Sequence, residues 1–372
     1  VVSTQSTGGF SHFIQEKQEQ LNLIKTQTQQ KIQKLDEFKL QMDQQVVTLQ
    51  QAIQALDLKI KGEETIEIPS QFKAAEFTFT GRRNTNEDKE IIYQNEKIEV
   101  FCIFDGHGGV EIAELCAKNF VNVFNSQQSS HPCIQLADTL LALDELTQQD
   151  TNLVGCTAAC VLIKNNHIYF VNAGDARVVI KCQDQIIEST DHKATSQSEI
   201  DRLQEIGAEV EIGRVCGFQG PIIAVTRAVG DNQMKLFGVQ AKSELYTEVN
   251  CEKAEFIVVA CDGVWDVLNS KQICRFVEIA QGKQQPENDL EDLFQQMMKG
   301  ETEQIAEKVH SQRQPEFLRS RNNQMDIDSL KPKPDDSLEK QISINIVKMA
   351  YLLGSADNIS IIVALKMTSE EK

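Results

Sequence analysis

No stretch of this chain is apolar for long enough to cross a bilayer, no two of its ten cysteines stand in C-x-x-C spacing, and basic residues are scarce beside acidic ones. The first absence argues against a membrane-spanning helix. The second removes zinc-ribbon and dithiol redox readings. Cys102, Cys156, Cys160 and Cys261 fall inside apolar strand patterns, so the cysteines read as reduced, buried, small side chains of an intracellular protein, cytoplasmic or nuclear. The third, 37 Lys and Arg against 55 Asp and Glu for a formal net charge of -18, speaks against a nucleic-acid partner and against a nuclease, which needs a basic groove. Such a charge also repels anionic substrates unless cations reverse the sign locally. The sequence opens at Val1 with neither a Met nor an apolar signal region.

What is present is a set of carboxylates at the ends of apolar strands. Val100 to Phe104 reads as a buried strand and runs into Asp105-Gly106-His107-Gly108-Gly109, where the glycines allow a sharp turn and a close approach of backbone to an ion. Phe256 to Cys261 runs into Asp262-Gly263, with Asp266 four residues on, and Ile168 to Asn172 runs into Gly174-Asp175. Asp357-Asn358 opens the strand from Ile359 to Val363, and Arg83 precedes Glu87-Asp88. Unpaired acids at strand ends are costly unless something positive compensates them. Several converging on one cleft imply cations, and an oxygen-only donor set suits Mg2+ or Mn2+.

The order and identity of these motifs resemble the type 2C metal-dependent protein serine/threonine phosphatases, from about Phe77 to Leu365. The segments that carry the resemblance are RRNTNED (Arg82 to Asp88), FDGHGG (Phe104 to Gly109), GCTAA (Gly155 to Ala159), VNAGDAR (Val171 to Arg177), DHKATSQSEIDRLQEIGAEV (Asp191 to Val210), AVTRAVGD (Ala224 to Asp231), ACDGVWDVL (Ala260 to Leu268) and ADNIS (Ala356 to Ser360). Ala194, Cys216 and Asn86 depart from the usual residues of that family; none is a ligand, and they bear on loop geometry and substrate preference.

The resemblance implies an α+β fold: a four-layer α-β-β-α sandwich of two antiparallel sheets flanked by helices, with metal ions in a cleft at one end. It implies hydrolysis of phosphoserine and phosphothreonine by direct attack of a water bridging two metal ions, with no phosphoenzyme. Asp105 would bridge the ions, the Gly106 carbonyl would help hold one, and Asp262 and Asp357 the other. Glu87 and Asp88 would act through coordinated waters, and Asp175 and Asp266 are associated with a third ion. Arg83 stands in the register of the phosphate-binding arginine, with Arg82 the competing candidate, because a guanidinium fork matches two phosphate oxygens. His107 would be the general acid for the leaving alkoxide, and Asn358 lies beside the site. The alternatives are a catalytically weak pseudophosphatase serving as a scaffold and a small-molecule phosphomonoesterase.

The chain divides into an expected disordered start (1–10), a Gln- and Lys-rich helix (11–61), a linker (62–71), a catalytic domain (72–368) and a tail (369–372). Along the helix, Ile32, Leu35, Met42, Val46, Leu49, Ile53 and Leu56 form an apolar stripe. It reads either as a coiled-coil seam for self-association or a helical partner, or as one helix lying on its own domain. Helices are expected near 109–124, 135–149, 196–206, 270–281 and 341–353. A polar insertion at about 282–339 carries a helical stretch from Asn288 to His310.

Overall fold

The computed structural model describes residues 70–129, 131–148, 153–183, 185–246, 248–300 and 330–368. All belong to the second of two units into which the chain divides, Ile66–Lys372. The helix expected over 11–61, the start before it, nearly all of the linker, the tail, and residues 301–329 of the insertion, with the end of its expected helical stretch, lie outside the described residues.

The chain is an α+β protein of antiparallel sheets and helices. It opens with β1 (Phe72–Phe79), β2 (Lys89–Gln94), β3 (Ile98–Phe104) and β4 (Gly106–His107), followed by α1 (Glu111–Ser126) and α2 (Pro132–Leu146). Next come β5 (Gly155–Cys156), β6 (Ala158–Lys164), β7 (His167–Ala173), β8 (Arg177–Cys182) and β9 (Ile186–Glu188). A small lobe follows: α3 (Gln197–Glu205), β10 (Val210–Glu211), β11 (Arg214–Gly217), β12 (Gly220–Ile223), β13 (Val229–Gly230) and a 3-10 turn, Met234–Phe237. The rest is β14 (Glu244–Leu245), β15 (Val249–Asn250), β16 (Ala254–Ala260), α4 (Asp262–Trp265), α5 (Ser270–Ala280), α6 (Asp289–Met298), α7 (Leu338–Leu352) and β17 (Ile359–Lys366).

Two sheets dominate. One has the order β1-β17-β16-β8-β9; the other runs β14-β7-β6-β3-β2, with β15 also on β7. Every residue of β3 is buried, which explains the apolar run from Val100 to Phe104: both faces are covered. Phe101, Ile103 and Phe170 from one sheet share a core with Val178, Ile257 and Ile362 from the other. The opposite face of the β16–β17 sheet packs Val258 and Ile361 against Phe276, Phe294 and Ile346 of α5, α6 and α7. Cys102 and Leu162, on the outer face of the second sheet, pack against Phe120 and Leu136 of α1 and α2.

The helices follow their sequence signals closely. In α1 the buried residues Ile112, Cys116, Phe120 and Phe124 recur every four positions, a single face. α2 begins at Pro132, three residues before the expected start. The His131 side chain caps it by accepting from the Cys133 N–H, and proline is well suited to the first helical turn. Asn269 and Gln272 open α5 with a capping box. Of the insertion, α6 docks through Phe294, stacked on Phe276 at 4.4 Å, and Arg275 of α5 pairs with Glu291 at 2.9 Å.

Candidate metal centre

Asp105 follows β3 and Asp262 follows β16, so two central strands from facing sheets deliver their carboxylates to one end of the molecule. Oxygens of Asp105, Asp175 and Asp262 lie within 4.8 Å of one another, and Asp88, Asp105 and the Cys261 sulfur form a second such group. The electrostatics record the crowding. Burial, then the charges of Asp262, Asp88, Asp175 and Asp357, push the Asp105 carboxyl well above the usual carboxylate range. Burial, then Asp175, Asp357 and Asp266, do the same to Asp262 against the opposing charge of Lys193. Burial also lifts Asp88 to about 6, although the Ser360 hydroxyl donates to its Oδ2 at 2.6 Å. Its Oδ1 is buried with no hydrogen-bond partner. An orphaned buried oxygen beside mutually repelling carboxylates is what a hard divalent cation compensates, and the all-oxygen donor set of Asp105, Asp175 and Asp262 fits one.

The loop before β2 is tied to the same place by Asn358. Its Oδ1 accepts from the Glu87 N–H at 2.9 Å, and its Nδ2 donates to the carbonyls of Thr80 and Thr85 at 2.9 and 2.8 Å. Glu87 in turn accepts from the Gly109 N–H at 3.2 Å. Gly106 lies hard against this loop: a Cβ there would fall 2.3 Å from the Glu87 carbonyl oxygen. Asn86, a departure noted in the sequence, accepts from the Asp88 N–H at 3.1 Å and donates to Thr78 at 2.7 Å.

The two adjacent arginines part company. Arg82 stacks over Tyr351 at 4.1 Å and donates to the carbonyls of Tyr351, at 3.0 Å, and Ser355. Arg83 is exposed at the cleft rim and donates to Asp357 Oδ2 at 2.7 Å.

His107, on β4, holds Asp231 Oδ2 at 2.7 Å through Nε2. Burial opposes the imidazolium, but the hydrogen bond and charge of Asp231, with Asp175 and Glu87 behind, raise the ring's pKa overall. Asp231 is 1% exposed, in a left-handed conformation at φ 51°. Only glycine fits between the pair: a Cβ on Gly155 would lie 2.3 Å from Asp231 Oδ2 and 2.8 Å from His107 Nε2.

Asp175 and Asp266 are joined by Lys193, whose Nζ lies 3.4 and 3.1 Å from their oxygens; Asp266 is more than half exposed and is not among the clustered oxygens. Arg83, Glu87, Asp105, Gly106, His107, Asp175, Asp262, Asp357 and Asn358 all line one cleft of about 570 Å³. Asp88 sits beneath it. Sequence reasoning missed Asp231, Lys193 and Arg214, the last also a lining residue. Asp231 carried the one usable signal, an acid straight after Val229-Gly230, like the other strand-end carboxylates.

The protein phosphatase 2C family model matches residues 72–308. The chain belongs to this family. Among curated relatives, mouse protein phosphatase 1B is 32% identical over 208 residues, covering 48% of this chain and 52% of the relative. Protein phosphatase 2C 1 of Paramecium tetraurelia is 32% identical over 262 residues, covering 60% of this chain and 85% of the relative. The chain spans about half the length of the mouse relative. Among solved structures, serine-threonine phosphatase 2C of Toxoplasma gondii superposes with a TM-score of 0.57 at 16% identity, covering 82% of this chain and 97% of that one. A C. elegans sex determining protein gives 0.56 at 21%, covering 80% and 65%. At those identities the superpositions establish a shared fold. A phosphatase 2C fold thus carries the carboxylate cleft.

Proposed function

We propose that this chain is a metal-dependent protein phosphatase that hydrolyses phosphoserine and phosphothreonine. The observation that carries the reading is the convergence of clustered carboxylates, an exposed arginine and an aspartate-paired histidine on one cleft. Family membership supports it. Asp105, the Gly106 carbonyl, Asp262 and Asp357 would hold two Mg2+ or Mn2+ ions, with Glu87 and Asp88 acting through waters and Asp175 and Asp266 serving a third. When bound, such ions neutralise phosphoryl charge and make water a competent nucleophile at neutral pH.

The remaining work falls to the chain's own groups. Arg83, exposed at the rim with two guanidinium donors to offer, orients the phosphoryl group. His107 supplies the proton that a serine or threonine alkoxide needs to depart, and Asp231 holds the ring in place and favours its charged form. Asn358 fixes the loop that bears Arg83 and Glu87. The three shared cores favour the α-β-β-α layering that the resemblance implied. Ten buried cysteines outside disulfides accord with a cytoplasmic or nuclear setting.

Phosphate release from a phosphothreonine peptide and from an aryl phosphate, each with added Mn2+ or Mg2+ and with excess chelator, tests the reading. Turnover that requires the ion is expected, and Asp105→Asn, Asp262→Asn or Asp357→Asn should each lower it by about 10²-fold or more. Equal turnover in chelator would overturn the metal dependence. No turnover under any condition would leave the scaffold reading in its place.

A further inference from the structure

The small lobe beside the cleft carries apolar side chains that neither its core nor the proposed chemistry uses. Phe218, at the tip of the β11–β12 turn, is 87% exposed, and Leu236 in the 3-10 turn is 78% exposed. Phe218 stands edge-on to Phe237 with ring centroids 4.8 Å apart. Large apolar side chains grouped at a surface mark places where something binds.

The patch is continuous with the cleft. Ile222 and Met234 line the cleft and also belong, with Phe237, to the core of the lobe. Gly217 rests against both: a Cβ there would lie 2.6 Å from Ile222 Cδ1 and 3.4 Å from Met234 Sδ. Phe218 is the next residue outward. A peptide whose phosphoryl group reaches Asp105 and Arg83 can therefore leave over Ile222 and Met234 and meet the two rings. An apolar side chain carried there gains by leaving water.

We propose that Phe218, Phe237 and Leu236 form a subsite for a bulky apolar side chain near the phosphoresidue of the substrate, a proposal that rests on the phosphatase reading above. A side chain held equally in the ground and transition states lowers KM and leaves kcat alone.

The test uses the full chain and phosphothreonine peptides bearing Leu or Ser at each of three positions on either side of the phosphoresidue. At one or two positions the Leu peptide is expected to exceed the Ser peptide by about 10-fold in kcat/KM, the scale for one buried apolar side chain, with the change in KM. In Phe218→Ser that ratio should fall towards one, and Leu236→Ser, a second surface change, should reduce it in the same direction. Peptides turned over with no positional preference above about twofold would overturn the subsite alone, as would a preference that survives both substitutions. Failure of the intact chain to hydrolyse any phosphopeptide would overturn the subsite together with the phosphatase reading.

Discussion

Replacing Glu199 by Gln changes one charge in the small lobe and almost nothing of its shape. The carboxylate is 3% exposed and accepts from Arg227 at 2.7 Å, Arg202 at 2.8 Å and the Thr226 hydroxyl at 2.5 Å. Burial by itself would raise its pKa, but the two guanidinium groups and the hydroxyl outweigh that and hold it at about 2, down from 4.5. At about 1.4 kcal/mol per unit, the difference contributes about 3 kcal/mol to folding at neutral pH. The folded pKa lies below the unfolded one, so the unfolded chain takes up the proton first. The contribution is therefore complete above about pH 5.5 and fades as pH falls, with about 2 kcal/mol gone by pH 3. Urea unfolding of the intact chain and of Glu199→Gln, at pH 7 and pH 3, reads this directly. The stability gap should be about 3 kcal/mol at pH 7 and half that or less at pH 3. A gap below about 1 kcal/mol at pH 7, or one of equal size at both pH values, would refute the account of this cluster.

Three further outcomes are expected. His107→Gln should slow phosphopeptide hydrolysis much more than aryl phosphate hydrolysis, because an aryl oxide leaves without a proton; equal slowing would make the histidine a structural group. Arg83→Ala should raise KM for both kinds of substrate with little change in melting temperature, whereas Arg82→Ala should lower the melting temperature, since Arg82 is committed to Tyr351 and Ser355; the reverse pattern would exchange their roles. Deleting residues 1–65 should leave aryl phosphate turnover within a few-fold, because every proposed ligand lies beyond the cut, and light scattering on both lengths then decides whether the apolar stripe of 11–61 is a self-association seam.

The strands that deliver the site were legible because their neighbours cover both faces. A run such as Val100 to Phe104 has no polar alternation to confuse it, and the acid that ends it stands out. The five expected helices are present, two of them, α2 and α7, beginning three residues early, and at Pro132 the start is set by a cap formed by a histidine side chain. What stayed hidden was pairing at a distance. Nothing local links His107 to Asp231, 124 residues apart, or sets Lys193 between Asp175 and Asp266. The choice between Arg82 and Arg83 likewise depends on Tyr351, at the far end of the domain in sequence. The hairpins of the small lobe are short, two to four residues a strand, below the length at which periodicity carries a signal.

All ten cysteines lie among the described residues, each is buried, and none is in a disulfide. The native chain thus carries its own reporter of opening. A thiol-reactive dye has to wait for a local or global excursion before it can react, so the labelling rate follows the population of open molecules. The positions are spread across the structure: Cys274 is on the buried face of α5, Cys116 on that of α1 with Cys156 of β5 against it, Cys251 between the sheets, and Cys216 in the small lobe. Mass spectrometry of partly labelled protein would then rank these regions by how readily each one opens, with no residue introduced for the purpose.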